Sequence, residues 1–306
     1  LGSVAEHVGR KQRLCEMFAC DGWDVSPLEL KKIAESEYVG GVNLMCHHLL
    51  PYSEHGQRKR DYPAHFSAVN PWVEKNFKEF NDYFSVLGEI LANSKERPNV
   101  VMFQPIRSAY FDYKRYLPGP DSSFCIGDLN KSYLVTAREL MQRQIPHHYL
   151  DETILARHGH VEGDKLVVGN CSYHYVVFPK TLTMDANTEK LLKEFVSNGG
   201  KVLLTEGKPS FVEWKEYDYP YLTSNTTWEE MEVDRPFITE KNESVRLAHR
   251  IDDNGNEFID AVALNGETTL KIQPKGYKSF KAYDILKDEY KVIDTALWSI
   301  LSPLLL

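Results

Sequence analysis

The sequence predicts an α/β chain in three parts: the end of a (β/α)8 barrel over 1–96, a flavodoxin-like doubly wound domain over 97–228, and a partial antiparallel β domain over 229–306. Three observations predict it. Helix and strand signals alternate from residue 1 to about 95, and the alternation restarts at Pro98. From about Val233 the apolar period shortens to two, which is the signature of half-buried antiparallel strands.

In the first part, Ser3 to Arg10 reads as helix, and Arg13-Leu14-Cys15-Glu16-Met17-Phe18 as a buried parallel strand interrupted by a single acid. Ser26-Pro27-Leu28-Glu29 is a capping box with proline at the first helical position, and Gly40-Gly41 closes that helix. Val42 to Cys46 follows as a second buried strand, and His47 to Pro71 as a long polar loop. Trp72, Phe77, Phe80, Phe84, Leu87 and Leu91 then recur at three- and four-residue steps, the apolar stripe of a long amphipathic helix. Two strands cannot close an eight-stranded barrel, so the other strands are expected elsewhere in a longer protein. A start that reads as mid-helix and an apolar end at Leu304-Leu305-Leu306 give the same expectation.

In the second part, strands are expected at 99–104, 146–151, 175–178 and 201–205, with helices at 129–143 and 186–197, the latter closed by Gly199-Gly200. Strands alternating with helices form a parallel sheet covered on both faces. In the third part, 245–251, 258–264, 269–272 and 279–283 alternate, with Asp253-Asn254-Gly255 and Asn265-Gly266 as hairpin turns.

Composition narrows the partners. The net charge of -8 is spread without a basic run, which argues against a nucleic-acid partner. No apolar stretch approaches the roughly 20 residues that cross a bilayer, so no membrane partner is expected. Cys15, Cys20, Cys46, Cys125 and Cys171 are scattered and form no CxxC pair, which predicts reduced thiols and a cytoplasmic setting rather than disulfides or structural zinc. His147-His148 has no acid or cysteine at metal spacing, so neither a metal nor another cofactor is expected. Gly199-Gly200 precedes a strand and is a helix stop, not a phosphate loop.

The residue with most chemical promise is Glu16. A lone carboxylate at the end of a parallel strand, followed by the aromatic and glycine-bearing stretch Phe18 to Asp24, sits where barrels place catalytic groups. Glycosidic hydrolysis needs two carboxyls across the scissile bond and an aromatic platform for the sugar, roles that fit Glu16 and Trp23. The competing reading is a structural glutamate that caps a turn or pairs with an arginine. His47 and His48 end the second strand, and because neighbours on a strand point oppositely, only one can face the same pocket as Glu16. Arg58 and Arg60 either bind sugar hydroxyls or form a solvated charge run. Cys171 lacks the glycine spacing and the strand-to-helix turn of a nucleophile elbow and reads as a small buried hydrophobe.

The ordered set Leu14-Cys15-Glu16-Met17-Phe18, Gly22-Trp23-Asp24, Gly41-Val42-Asn43, His47-His48, Arg58, Arg60-Asp61-Tyr62-Pro63, Asn70-Pro71-Trp72 and Asn81-Asp82-Tyr83 resembles the end of the catalytic barrel in bacterial α-L-rhamnosidase-like glycosidases, family 106 of the glycoside hydrolases and its relatives. Residues 98–214 are similar to the class I amidotransferase-like domain that follows the barrel there and in the β-galactosidases of family 42, where it has a trimerisation or assembly role. The resemblance implies that Glu16 ends the seventh barrel strand as nucleophile or general base and that Val42 to Cys46 is the eighth strand. It further implies that Trp23, Asn43, His47, His48 and Arg58 contact a carbohydrate substrate, and that the second domain supports a homo-oligomer. Cys15 replaces the serine of the family's Ser-Glu pair, and the second carboxylate is not in this chain. The expected function is that of a glycoside hydrolase fragment, inactive alone. A non-catalytic assembly or carbohydrate-binding module and a thiol-dependent amidotransferase are the alternatives.

Overall fold

The computed structural model describes residues 1–50, 52–53, 55–56, 66, 70–112, 127–233, 237–238, 241–264, 268–271, 273–274, 280–293 and 297–300. The chain forms two compact units: unit 1 holds Leu1–Ala5, Arg10–Glu96 and Arg235–Leu306, and unit 2 holds Glu6–Gly9 and Arg97–Asp234. Among the described residues, no helix is long and apolar enough to cross a membrane.

Helix α1 (Gly2–Val8) is followed in unit 1 by β1 (Leu14–Met17), α2 (Pro27–Val39), β2 (Leu44–His47), α3 (Pro71–Ala92) and β3 (Ser94–Glu96). The capping box forms as its sequence dictates: Ser26 Oγ accepts from the Glu29 amide at 3.3 Å, and the Glu29 carboxylate accepts from the Ser26 amide at 2.8 Å. Strands β1 and β2 pair in parallel, with Glu16 beside Cys46 and Met17 beside His47. The helices pack on one face of this pair, where Met17, Phe18, Leu30, Ala34, Tyr38, Phe80, Phe84 and Leu91 make the core. On α3 a glycine is required at position 88, because a Cβ there would stand 2.5 Å from the carbonyl oxygen of Asn43.

The expected burial of both strands is corrected. Leu14, Glu16, Leu44 and Cys46 are exposed, while Met17 is buried. Side chains alternate across a strand, and among the described residues only the helix-covered face of this two-stranded sheet has a partner layer.

Unit 2 is built on β4 (Val100–Phe103), α4 (Ile106–Asp112), α5 (Gly127–Gln142), β5 (His147–Leu150), α6 (Glu152–His158), β6 (Gly159–Glu162), β7 (Lys165–Val168), β8 (Cys171–Tyr173), β9 (Tyr175–Phe178), β10 (Thr183–Met184), α7 (Ala186–Ser197) and β11 (Lys201–Leu204). Its parallel sheet has the order β11-β9-β4-β5, the flavodoxin-like arrangement in which the first strand is central. Both faces are covered. Val101, Phe103, Val176 and Phe178 pack with Leu155 of α6 and Leu192 and Phe195 of α7, whereas Val100, Met102 and Val177 pack with Ala137 and Leu140 of α5. Strands β6, β7 and β8 form a separate antiparallel sheet, and β10 joins β12 (Phe211–Val212) and β13 (Lys215–Glu216).

The rest of unit 1 begins with β14 (Phe237–Ile238) and continues as β15 (Val245–Asp252) and β16 (Glu257–Ala263), a hairpin closed by Asp253-Asn254-Gly255. Asp252 Oδ1 accepts from the amides of Asn254 and Asn256, and Gly255 takes φ 82°. The end of β15 also pairs with β3. There the fully buried Arg250 donates to Ser94 Oγ at 2.8 Å, to Glu96 Oε1 at 2.6 Å and to the Leu91 and Ser94 carbonyls. The expected turn at Asn265-Gly266 lies outside the described residues.

Candidate functional site

Strand parity decides what stands at the ends of β1 and β2. Met17 and His47 point toward the helices, so Glu16 and Cys46 share the opposite, open face. The Glu16 side chain is 65% exposed and its Oε1 lies 3.9 Å from His48 Nε2. Among the described residues no lysine or arginine makes an ion pair with it. Immediately after β1 the backbone enters the left-handed region twice at non-glycine residues, Phe18 (φ 75°) and Cys20 (φ 63°), a concentration of strain next to the carboxylate. Trp23 follows in the connection to α2, with 47% of its surface exposed.

Two expected substrate contacts lie elsewhere. The His47 ring sits against Phe66 and Phe18, at centroid distances of 4.5 and 5.9 Å, and burial among these rings lowers its pKa. It lies partly buried on the helix-covered face, and His48 is the histidine that shares the open face. Asn43 is buried just before β2, at the strand end opposite Glu16. Its Oδ1 accepts from the Arg13 amide at 2.9 Å and its Nδ2 donates to the Lys11 carbonyl at 2.7 Å, so its amide ties the starts of the two strands together. Arg58 and Arg60 lie outside the described residues. A cleft of about 370 Å³ runs between β2 and α3, lined by Asn43, Met45, His47, Asn81 and Phe84, and does not include Glu16 or His48. The open face thus carries a carboxylate and an imidazole in reach of one another. Among the described residues it has one wall only.

In unit 2 the ligand crevice of a doubly wound sheet lies beyond the carboxyl ends of the strands where the strand order reverses, between β4 and β9. Ser108 of α4 bridges the segments that follow these two strands: its Oγ accepts from the Leu182 and Thr183 amides at 2.9 and 3.0 Å and donates to the Thr183 carbonyl at 3.1 Å. A thiol nucleophile would stand at the turn after β9, where Pro179 and Lys180 are found; Cys171 instead begins β8 of the antiparallel sheet.

Cys171 nevertheless has chemical company. His7 of α1, His148 of β5 and Cys171 bring one donor atom each to within 4.8 Å of the others, all inside unit 2. Both histidines are buried, and Tyr173 OH lies 2.6 Å from His7 Nε2 and 2.6 Å from His148 Nδ1. Burial lowers the His7 pKa to about 4, which keeps its ring neutral. The expectation that no metal-type cluster exists is corrected here. Linear spacing misses it because the three residues come from segments far apart in sequence.

The helix-covered parallel strand pair and the following doubly wound unit make an arrangement that two solved structures share. The chain is similar to a rhamnosidase from Novosphingobium sp. PP1Y, with 14% identity and a TM-score of 0.52 over 98% of this chain and 31% of that one. It is similar also to a β-galactosidase from Bacillus circulans sp. alkalophilus, with 11% identity and a TM-score of 0.61 over 98% of this chain and 56% of that one. The chain therefore spans about a third of the first structure and just over half of the second, and shares their fold. No protein-family model matches the sequence, and no curated protein matches it.

Proposed function

We propose that this chain supplies the last strands of a glycoside hydrolase barrel, with Glu16 as one of the two catalytic carboxyl groups and an α-L-rhamnoside as the substrate class. The observation that carries the reading is the position of Glu16: at the carboxyl end of a parallel strand, on the face turned away from the helices, beside His48. Parallel barrels place their catalytic groups at that end of the strands. Half-exposed Trp23 offers a ring for sugar stacking on the same connection. The second carboxyl belongs to strands outside this chain, and its separation from Glu16 decides between nucleophile and general base.

The test is Glu16→Gln in the whole protein that contains this chain, assayed on aryl α-L-rhamnosides and aryl β-galactosides. Turnover on the rhamnoside should fall by about a hundredfold or more, since a positioned acid or base contributes about 10²–10⁴. Turnover within a few-fold of the unaltered protein removes Glu16 from the mechanism, and a loss seen only with galactosides moves the substrate class.

A second reading assigns unit 2 an assembly role. The three hydrogen bonds of Ser108 across the switch-point crevice favour a scaffold over a ligand-binding domain. Sedimentation of the full chain tests it, with a symmetric oligomer as the supporting result and a monomer at high concentration as the opposing one.

A further inference from the structure

We propose that His7, His148 and Cys171 form a binding site for a divalent transition metal of the zinc class, held by two imidazole nitrogens and one thiolate. The donor set is the first argument. Two imidazoles and a thiolate suit zinc better than magnesium or calcium, which take oxygen ligands.

Geometry is the second. The donor atoms lie within 4.8 Å of one another. Bond lengths of about 2.0–2.1 Å to nitrogen and 2.3 Å to sulfur put tetrahedral ligand atoms roughly 3.3–3.7 Å apart. The site therefore closes on an ion by side-chain rotations of little more than an ångström. The two rings stand edge to face at a centroid distance of 5.5 Å, and the phenol of Tyr173 touches one nitrogen of each, the kind of outer contact that orients metal-bound imidazoles.

Third, the backbone already holds the parts in place. The Asn170 amide donates to the His7 carbonyl at 2.9 Å, and a Cβ on Gly169, which takes φ 57°, would collide with that carbonyl. Segment 6–9 is thereby fixed against the turn that leads into Cys171.

A fourth observation points to a ligand directly. His7 Nδ1 is buried with no hydrogen-bond partner among the described residues, in a side chain that is 1% exposed. A buried polar atom left so is costly, and an ion coordinated through Nδ1 would relieve that cost. Binding replaces the Cys171 S–H bond by a sulfur–metal bond and releases one proton to solvent.

The full chain, stripped with EDTA, is titrated with Zn(II) alone and separately with Co(II). One equivalent of each should bind, and the Co(II) form should show thiolate charge-transfer absorption together with the strong visible bands of a tetrahedral site. Cys171→Ser should abolish the charge-transfer absorption, and His148→Gln should weaken Zn(II) binding by at least about tenfold. Undiminished binding in both variants, or no stoichiometric binding by the unaltered chain, overturns the site. X-ray absorption of the unaltered Zn(II) form decides the matter should either variant fail to fold. A shell containing one sulfur and two imidazoles supports the proposal, and a shell without sulfur, or with more than one, refutes it.

Discussion

Arg250 and Glu96 are joined by a hydrogen-bonded ion pair of 2.6 Å whose arginine is wholly buried. The same guanidinium donates to the carbonyls of Leu91 in α3 and Ser94 in β3, so one side chain fastens β15 to the helix and to the strand that follows it. Arg250→Ala should destabilise unit 1 by about 3–5 kcal/mol, because it removes the guanidinium that pairs with the partly buried Glu96 carboxylate and donates to the Leu91 and Ser94 carbonyls. Glu96→Gln, which keeps an acceptor, should cost less. Denaturant unfolding of the full chain measures both, and equal losses would contradict the arrangement.

Gly88 gives a prediction against helix propensity. Alanine is the better helix former by about 1 kcal/mol, yet Gly88→Ala should lower stability by about 1–3 kcal/mol, since its methyl group would meet the Asn43 carbonyl at 2.5 Å. A raised thermal midpoint would show that α3 can move away from β2.

The neighbouring histidines should behave oppositely. His47→Ala removes a ring packed among Phe18, Phe66, Phe77 and Phe80 and should cost about 2–4 kcal/mol, while His48→Ala should cost about 1 kcal/mol or less. If Glu16 is catalytic as proposed above, the order should reverse for turnover of the whole protein, with His48→Ala the more harmful. Unfolding curves and rates on the same two variants check the pair of statements.

Glu152 imposes a pH dependence. Burial raises its pKa from 4.5 to about 7, against the opposing pull of the Asp185 amide that donates to Oε2 at 2.7 Å. The folded chain thus keeps a proton that the unfolded chain releases. The stabilisation from this group is complete below about pH 4.5, declines as pH rises, and is gone above about pH 7, a change of up to about 3 kcal/mol. Glu152→Gln should remove that decline. Denaturation of both forms across this range measures it, and parallel curves would show that Glu152 is ionised in the fold.

Much of this was legible in the sequence where short-range chemistry decides the outcome. The capping box at Ser26, the apolar stripe of α3 and the four parallel strands of unit 2 each follow from local spacing. That only one of His47 and His48 could share a face with Glu16 was also legible; which one depends on the pairing of Met17 with His47, a register that no single segment encodes. The exposure of Leu14 and Leu44 depends on how many layers cover the sheet, a property of the assembly rather than of the strand. The β6-β7-β8 sheet carried readable two-residue turn signals at Gly163-Asp164 and Gly169-Asn170, both glycines at positive φ, but its short strands are easily taken for loop. The meeting of His7, His148 and Cys171 had no local signature at all.

The hydroxyl of Ser108 uses its full capacity, one proton and two lone pairs, to stitch the loop after β4 to the loop after β9. The amides of Leu182 and Thr183 should therefore exchange slowly with solvent deuterium, although they sit in a stretch that reads from its sequence as an ordinary connecting loop.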